Sequence, residues 1–220
     1  MSWPVLNIRA MDRRHQILAA AARVFAQCGF RGSTTRRIAD AAGVNEITLF
    51  RYFGSKEALL REAMRHVTES VGLVALPEVP VDPVRELTAW SESLIQHLRL
   101  RSSIIRKTMS EIEERPEMGI CASHVPKLAS SDLCAYLDSL RHEGIVTEKF
   151  EVKTAAAMLM GAIFADAMGR DMMPEVFPQP EGKAAELYTR LLLRALGVAP
   201  ASRARKTGTK PTKHAKQLPS

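Results

Sequence analysis

Cysteine is scarce in this chain: Cys28, Cys121 and Cys134 are scattered and odd in number. None has CxxC spacing, which argues against a disulfide framework or a thiolate metal site and suits a reducing cytosol. Long apolar runs are also missing. The longest stretch, Ala155 to Gly169, is interrupted by Asp166 and is too short to span a bilayer comfortably. The N-terminus, Met-Ser-Trp-Pro-Val-Leu-Asn-Ile, has neither the basic segment nor the apolar core of a secretion signal. A cytoplasmic protein with no membrane partner is the expectation. No stretch alternates apolar and polar residues, so strands are not expected, and no internal repeat occurs. His66, His97, His124 and His142 lack the HxxxH spacing of metal ligands. There is no Ser/His/Asp set, no paired-carboxylate motif and no glycine-rich phosphate loop; Glu113-Glu114 reads as a solvated helix end. No catalytic residue, metal or cofactor is therefore expected, and the chain does not read as an enzyme.

What is present is a 220-residue chain, 46% hydrophobic, long enough for a substantial core. Its net charge of +7 is unevenly spread: +6 over residues 1–56, −5 over 57–200 and +6 over the last twenty. A basic head and tail around an acidic middle suggest that one end faces a polyanion. Ile17, Leu18, Ala21, Val24, Phe25 and Cys28 form a helical stripe ending at Gly29. Two short helical patterns follow at 36–42 and 46–53, and a longer one at 56–74 carries Leu59, Leu60, Ala63 and Val67. A proline-rich connector at 77–83 marks the best boundary. Asp82-Pro83 is then a strong helix start, since Asp caps free N–H groups and Pro suits the first turn. Further helices are expected at about 104–114, 126–142, 152–168 and 182–196. The fold class is all-α. Residues 1–12 form an N-terminal extension and 13–60 a compact head whose last helix runs on to about 75. Residues 76–199 form a helical body, and 200–220 a basic tail too poor in large hydrophobics to fold.

Residues 13–60 carry the decisive pattern, RRHQILAAAARVFAQCGFRGSTTRRIADAAGVNEITLFRYFGSKEALL. It reads as a supporting helix, a short helix, a turn at Gly43 and a second short helix, with Ile38, Ala39, Val44, Leu49 and Phe53 fixing the angle between the short helices. Asn45, Glu46, Thr48, Arg51 and Tyr52 are then free to face a DNA major groove. The stretch resembles the helix-turn-helix of the TetR family of transcription regulators. The match rests on Ile17, Leu18, Ala21, Phe25, Gly29, Phe30, Thr34, Ile38, Ala39, Ala42, Gly43, Val44, Thr48, Leu49, Tyr52, Phe53, Ser55, Lys56 and Leu59. It covers about a quarter of the chain.

The resemblance implies a sequence-specific DNA-binding regulator of double-stranded, palindromic operators. Thr34 and Thr35 would cap a helix and touch phosphate, Arg36 would approach bases or phosphates, and Asn45 would cap the recognition helix. Glu46 and Thr48 would read bases, while Arg51, Tyr52 and Lys56 would meet the backbone. Phe50 departs from the tyrosine usual in the family and lacks its hydroxyl. The resemblance further implies a homodimer and a ligand cavity in the body. Ala157, Gly161, Phe164, Leu187 and Leu191 are the candidate dimer contacts. Trp90, Leu94, His97, Met109, Ile112 and Met158 are the candidate lining for a small, apolar effector. The leading reading is a homodimeric repressor released by that effector; the alternatives are an activator, a regulator answering to a protein partner instead of a metabolite, and a helical enzyme or carrier with a head that no longer binds DNA.

Overall fold

The computed structural model describes residues 4–69, 72–116 and 123–198. Nine α-helices are described: α1 (Pro4–Gly32), α2 (Thr35–Ala42), α3 (Glu46–Phe53), α4 (Lys56–Glu69), α5 (Pro83–Leu100), α6 (Ser102–Glu111), α7 (His124–His142), α8 (Val152–Gly169) and α9 (Ala184–Ala195). No strand occurs among the described residues. The all-α fold class is correct. The basic tail expected to be disordered lies outside the described residues.

Two separate apolar clusters hold the chain together. The stripe of α1 (Ile17, Leu18, Ala21, Phe25) buries against Ile38, Leu49, Phe53, Leu59 and Leu60 from α2, α3 and α4. The second cluster joins α5, α7, α8 and α9 through Leu87, Trp90, Leu133, Leu137, Leu159, Ile163 and Leu193. Each large side chain removed from water contributes on the order of 1.5–3 kcal/mol, so the periodic stripes dictate which faces pack. Two boundaries differ from expectation. The first helix begins at Pro4, inside the segment read as an extension, and α4 is described to Glu69, with residues 72–76 no longer helical. Arg101 Nε donates to the Val67 carbonyl at 3.0 Å, satisfying a last-turn acceptor of α4. Beyond Gly72 the chain is irregular, with Leu73 and Leu76 packed on the body core and the Val74 amide donating to Ser93 Oγ.

Glu86 ties the start of α5 to α7. Asp82 caps the Arg85 amide while one Glu86 oxygen accepts the Val81 and Asp82 amides. The other accepts the Tyr136 hydroxyl at 2.6 Å. Burial, reinforced by that hydrogen bond, pushes the tyrosine's ionisation well above its ordinary value.

Head and body meet where α1 bends. Gly29 has φ +67° and ψ −173°, which breaks the helical ladder. The Phe30 amide beyond the bend donates instead to Glu111 Oε1 of α6 at 2.8 Å. A Cβ on residue 29 would meet that oxygen and Lys107 Cε, and the positive φ of the bend is itself a conformation that favours glycine.

Val152–Gly169 matches a membrane span in length and composition, and one of its faces packs into the body core through Ala155, Ala156, Leu159 and Ile163. Asp166 in that helix is fully buried and accepts bonds from Arg170, Arg99 (2.9 Å) and the Tyr188 hydroxyl (2.8 Å). Burial is the largest single influence on this carboxyl and would raise its pKa. The donors together outweigh it and hold the group below the ordinary value near 3.8. Its contribution to stability is therefore complete above that pH and is lost as pH falls through the lowered value. Asp166→Asn leaves the buried Arg170 guanidinium uncompensated, which should cost about 3–5 kcal/mol. A urea titration should show the lowered midpoint, with a flattened acid limb in the variant's stability–pH profile.

Candidate nucleic-acid interface

The turn between α2 and α3 closes because Gly43 takes the left-handed conformation (φ 64°, ψ 35°) and its amide, with that of Val44, returns to the carbonyls ending α2. Thr34 caps α2 by accepting the Arg37 amide at 3.2 Å. Asn45 caps α3: its Oδ1 accepts the Thr48 amide at 2.9 Å and the Thr48 hydroxyl at 2.7 Å. Thr35 Oγ1 donates to Glu46 Oε2 at 2.5 Å, which joins the N-terminal ends of the two short helices. Arg37 is tied to the Gly32 carbonyl at 2.8 Å.

These bonds sort the candidate contacts into two kinds. Thr34, Asn45, Thr48 and the Thr35–Glu46 pair are engaged in building the motif, and Thr48's hydroxyl hydrogen is directed to the cap. Arg36 and Arg51 are exposed on the surface, Arg51 with its guanidinium 5.6 Å from the Tyr52 ring centre. Lys56, at the first position of α4, places its ammonium 4.3 Å from the Phe30 ring centre. Partial burial, more than any neighbouring charge, lowers its pKa.

Sequence reasoning missed Ile47, which is 78% exposed at the second position of α3. Leu49 and Phe53 are the buried residues of that helix, and at 3.6 residues per turn Ile47 falls on the opposite side. That position was the available signal: an apolar side chain off the buried stripe. Phe50, 49% exposed, lies on the outward surface as well. Large apolar groups on a groove-facing helix can contact thymine methyls.

Residues 17–63 match the family model for bacterial regulatory proteins of the tetR family. These residues form a TetR-type DNA-binding head. Among its relatives, the uncharacterized HTH-type transcriptional regulator YvkB of Bacillus subtilis is 25% identical over 182 residues, which is 82% of this chain and 95% of that one. A transcriptional repressor of Mycobacterium tuberculosis is 33% identical over 99 residues, 45% of this chain and 52% of its own length. In fold, the chain is similar to a TetR-family regulator structure from Mesorhizobium loti, with a TM-score of 0.69 at 18% identity over 85% of this chain and 98% of the other. A chain with this head is a DNA-binding transcription regulator.

The body also holds a cavity of about 250 Å³, which opens between α4, α5, α6, α7 and α8 and is walled by Met64, Val67, Leu94, Leu98, Ile105 and Met160 among others. Leu94, His97 and Met109 line it, as the helical stripes suggested. Trp90, Ile112 and Met158 do not. Trp90 is one turn too early on α5 and sits in the closed core, and Ile112 follows the end of α6. Met158 is two residues from the lining Met160, hence on the other side of α8, where it is 67% exposed. Phe164, placed at the dimer contact from sequence, is itself a wall of the cavity.

The cap of the recognition helix yields a direct test. Asn45→Ala should destabilise α3 by about 1 kcal/mol. Amide exchange in its first turn should quicken by about fivefold where that turn opens locally, and Asn45→Asp should largely restore the wild-type rate.

Proposed function

We propose that this regulator is a cytoplasmic homodimeric repressor whose two heads read a palindromic operator and are released by a small effector with an apolar body. The observation that carries this reading is the composition of the cavity wall. Met64 and Val67 belong to α4, the helix whose other end begins with Lys56 beside the reading head. An occupant pressing on these residues acts on an element shared with the head, and so favours one spacing of the two heads over another.

The groove-facing group comprises Thr34, Thr35, Arg36, Asn45, Glu46, Thr48, Arg51, Tyr52 and Lys56, with Ile47 and Phe50 added from the structure. Lys56, Arg36 and the α2 N-terminus suit phosphate, while Ile47 and the held Glu46 carboxylate suit base edges. Lys56→Ala should weaken operator and random DNA alike and flatten the slope of log affinity against log salt by about one unit. Ile47→Ala should leave that slope unchanged and relax base preference at one operator position. Titrations of both variants at several salt concentrations check the pair; an unchanged slope for Lys56→Ala removes the phosphate assignment.

Dimerisation is supported by an exposed apolar face. Ala157, Met158 and Gly161 of α8 and Leu187 and Leu191 of α9 all face outward, with Leu191 69% exposed. A Cβ added at Gly161 meets no atom within 4 Å, so a side chain there leaves the protomer undisturbed. Gly161→Arg should therefore retain its helical circular dichroism while sedimenting as a 24.3 kDa monomer. A normal dimer would place the contact elsewhere.

A further inference from the structure

The cavity is apolar in all but three of its wall residues. Among its lining side chains His97 and Arg101 are the ionisable ones and Thr108 the remaining polar one. Thr108 donates its hydroxyl to the Ile104 carbonyl at 2.8 Å and is satisfied. His97 is not. It is 5% exposed, its Nδ1 is buried without a hydrogen-bond partner, and neither ring nitrogen is bonded to another described residue. A buried polar group left in this state is costly, on the order of 1–3 kcal/mol, unless something that binds there completes it.

Arg101 stands beside it at the break between α5 and α6. Its Nε is committed to the Val67 carbonyl, and no carboxylate pairs with its guanidinium among the described residues. Burial lowers its pKa, but a guanidinium is not deprotonated within a protein, so it remains a cation facing an apolar chamber. Burial chiefly, and then the Arg101 charge, push His97 down to about 4. At neutral pH the imidazole is therefore uncharged and offers one N–H donor and one acceptor. A cationic occupant is disfavoured by Arg101, and a wholly apolar one leaves both groups unanswered.

We propose that the effector is an amphipathic monocarboxylate whose apolar body fills the chamber of Leu94, Leu98, Ile105 and Met160 and whose carboxylate is held by Arg101 and His97. This assignment rests on reading the cavity as the effector site and adds its chemical class. The volume of about 250 Å³ corresponds to about eight non-hydrogen atoms at the roughly 30 Å³ that a water occupies in the liquid, and the open mouth accommodates the end of a slightly longer body. Met109 and Phe164, both partly exposed, form the rim through which such a molecule enters.

The test is calorimetric titration of the full-length protein with octanoate, octan-1-ol and octylamine, three molecules of one body and different heads. Octanoate should bind about tenfold or more tighter than octanol, the margin that a charge-assisted hydrogen bond supplies, and octylamine weakest. In Arg101→Met the preference of octanoate over octanol should collapse towards one while octanol binding persists. Octanol binding in wild type as tightly as octanoate, or an unchanged ratio in a folded Arg101→Met protein, overturns the carboxylate assignment and leaves the cavity reading standing. Failure of both octanoate and octanol to bind the wild type overturns the cavity reading itself. The wild-type comparison decides the head group even if the variant does not fold.

Discussion

A single carboxylate oxygen, Glu111 Oε1, accepts the Phe30 amide where α1 turns aside at Gly29. The bend strips that amide of its helical partner, and α6 supplies one from the other half of the molecule. The head and the body have separate apolar cores, so their relative placement depends on such joints more than on a continuous hydrophobic interior. The Phe30 ring beside it carries Lys56 on one approach and Arg115 on another, its centre 4.3 Å and 3.6 Å from the two cationic groups. One aromatic residue thus couples the end of α1, the start of α4 and the segment after α6. Arg31 adds an exposed ion pair to Glu114, which contributes little by itself.

The second joint is α4. Its inner surface is buried in the head through Leu59, Leu60 and Ala63, and its last turn forms part of the cavity wall. Arg101 closes that turn by accepting the role of its cap, and the same side chain faces the chamber. Ligand-facing charge and helix-terminating hydrogen bond are therefore one residue. Any occupant that draws the Arg101 guanidinium also acts on the last turn of the helix entering the DNA-facing half.

Most of the fold was legible because helices announce themselves by period. The stripe Ile17–Phe25, the Gly43 turn and the Asp82-Pro83 start are local signals, and each sits where the sequence placed it. What escaped was set by partners distant in sequence. Nothing near Gly29 announces that Glu111, eighty-two residues away, will receive the next amide. The cavity lining was half legible for the same reason: a stripe shows that Trp90, Leu94 and His97 share a side of α5, but only the packing of α7 and α8 shows where the chamber begins along it. Met158 and Met160 look alike in composition, and 3.6-residue geometry alone puts them on different surfaces. The candidate reading residues came from the motif, and Ile47 escaped because it was counted neither with the core of Leu49 and Phe53 nor with the polar groups facing outward.

The recognition helix spends little of its sequence on being folded. Leu49 and Phe53 anchor it, Asn45 starts it and Gly54 ends it, while Ile47, Phe50 and Arg51 have no buried role. Shape and lettering are thus stored at different positions of one eight-residue segment. Such a segment can change its target site by substitutions that leave the protein's stability almost untouched. It is a natural starting point for building regulators that ignore one another's operators, and it would let duplicated copies of this gene diverge in target without first losing their fold.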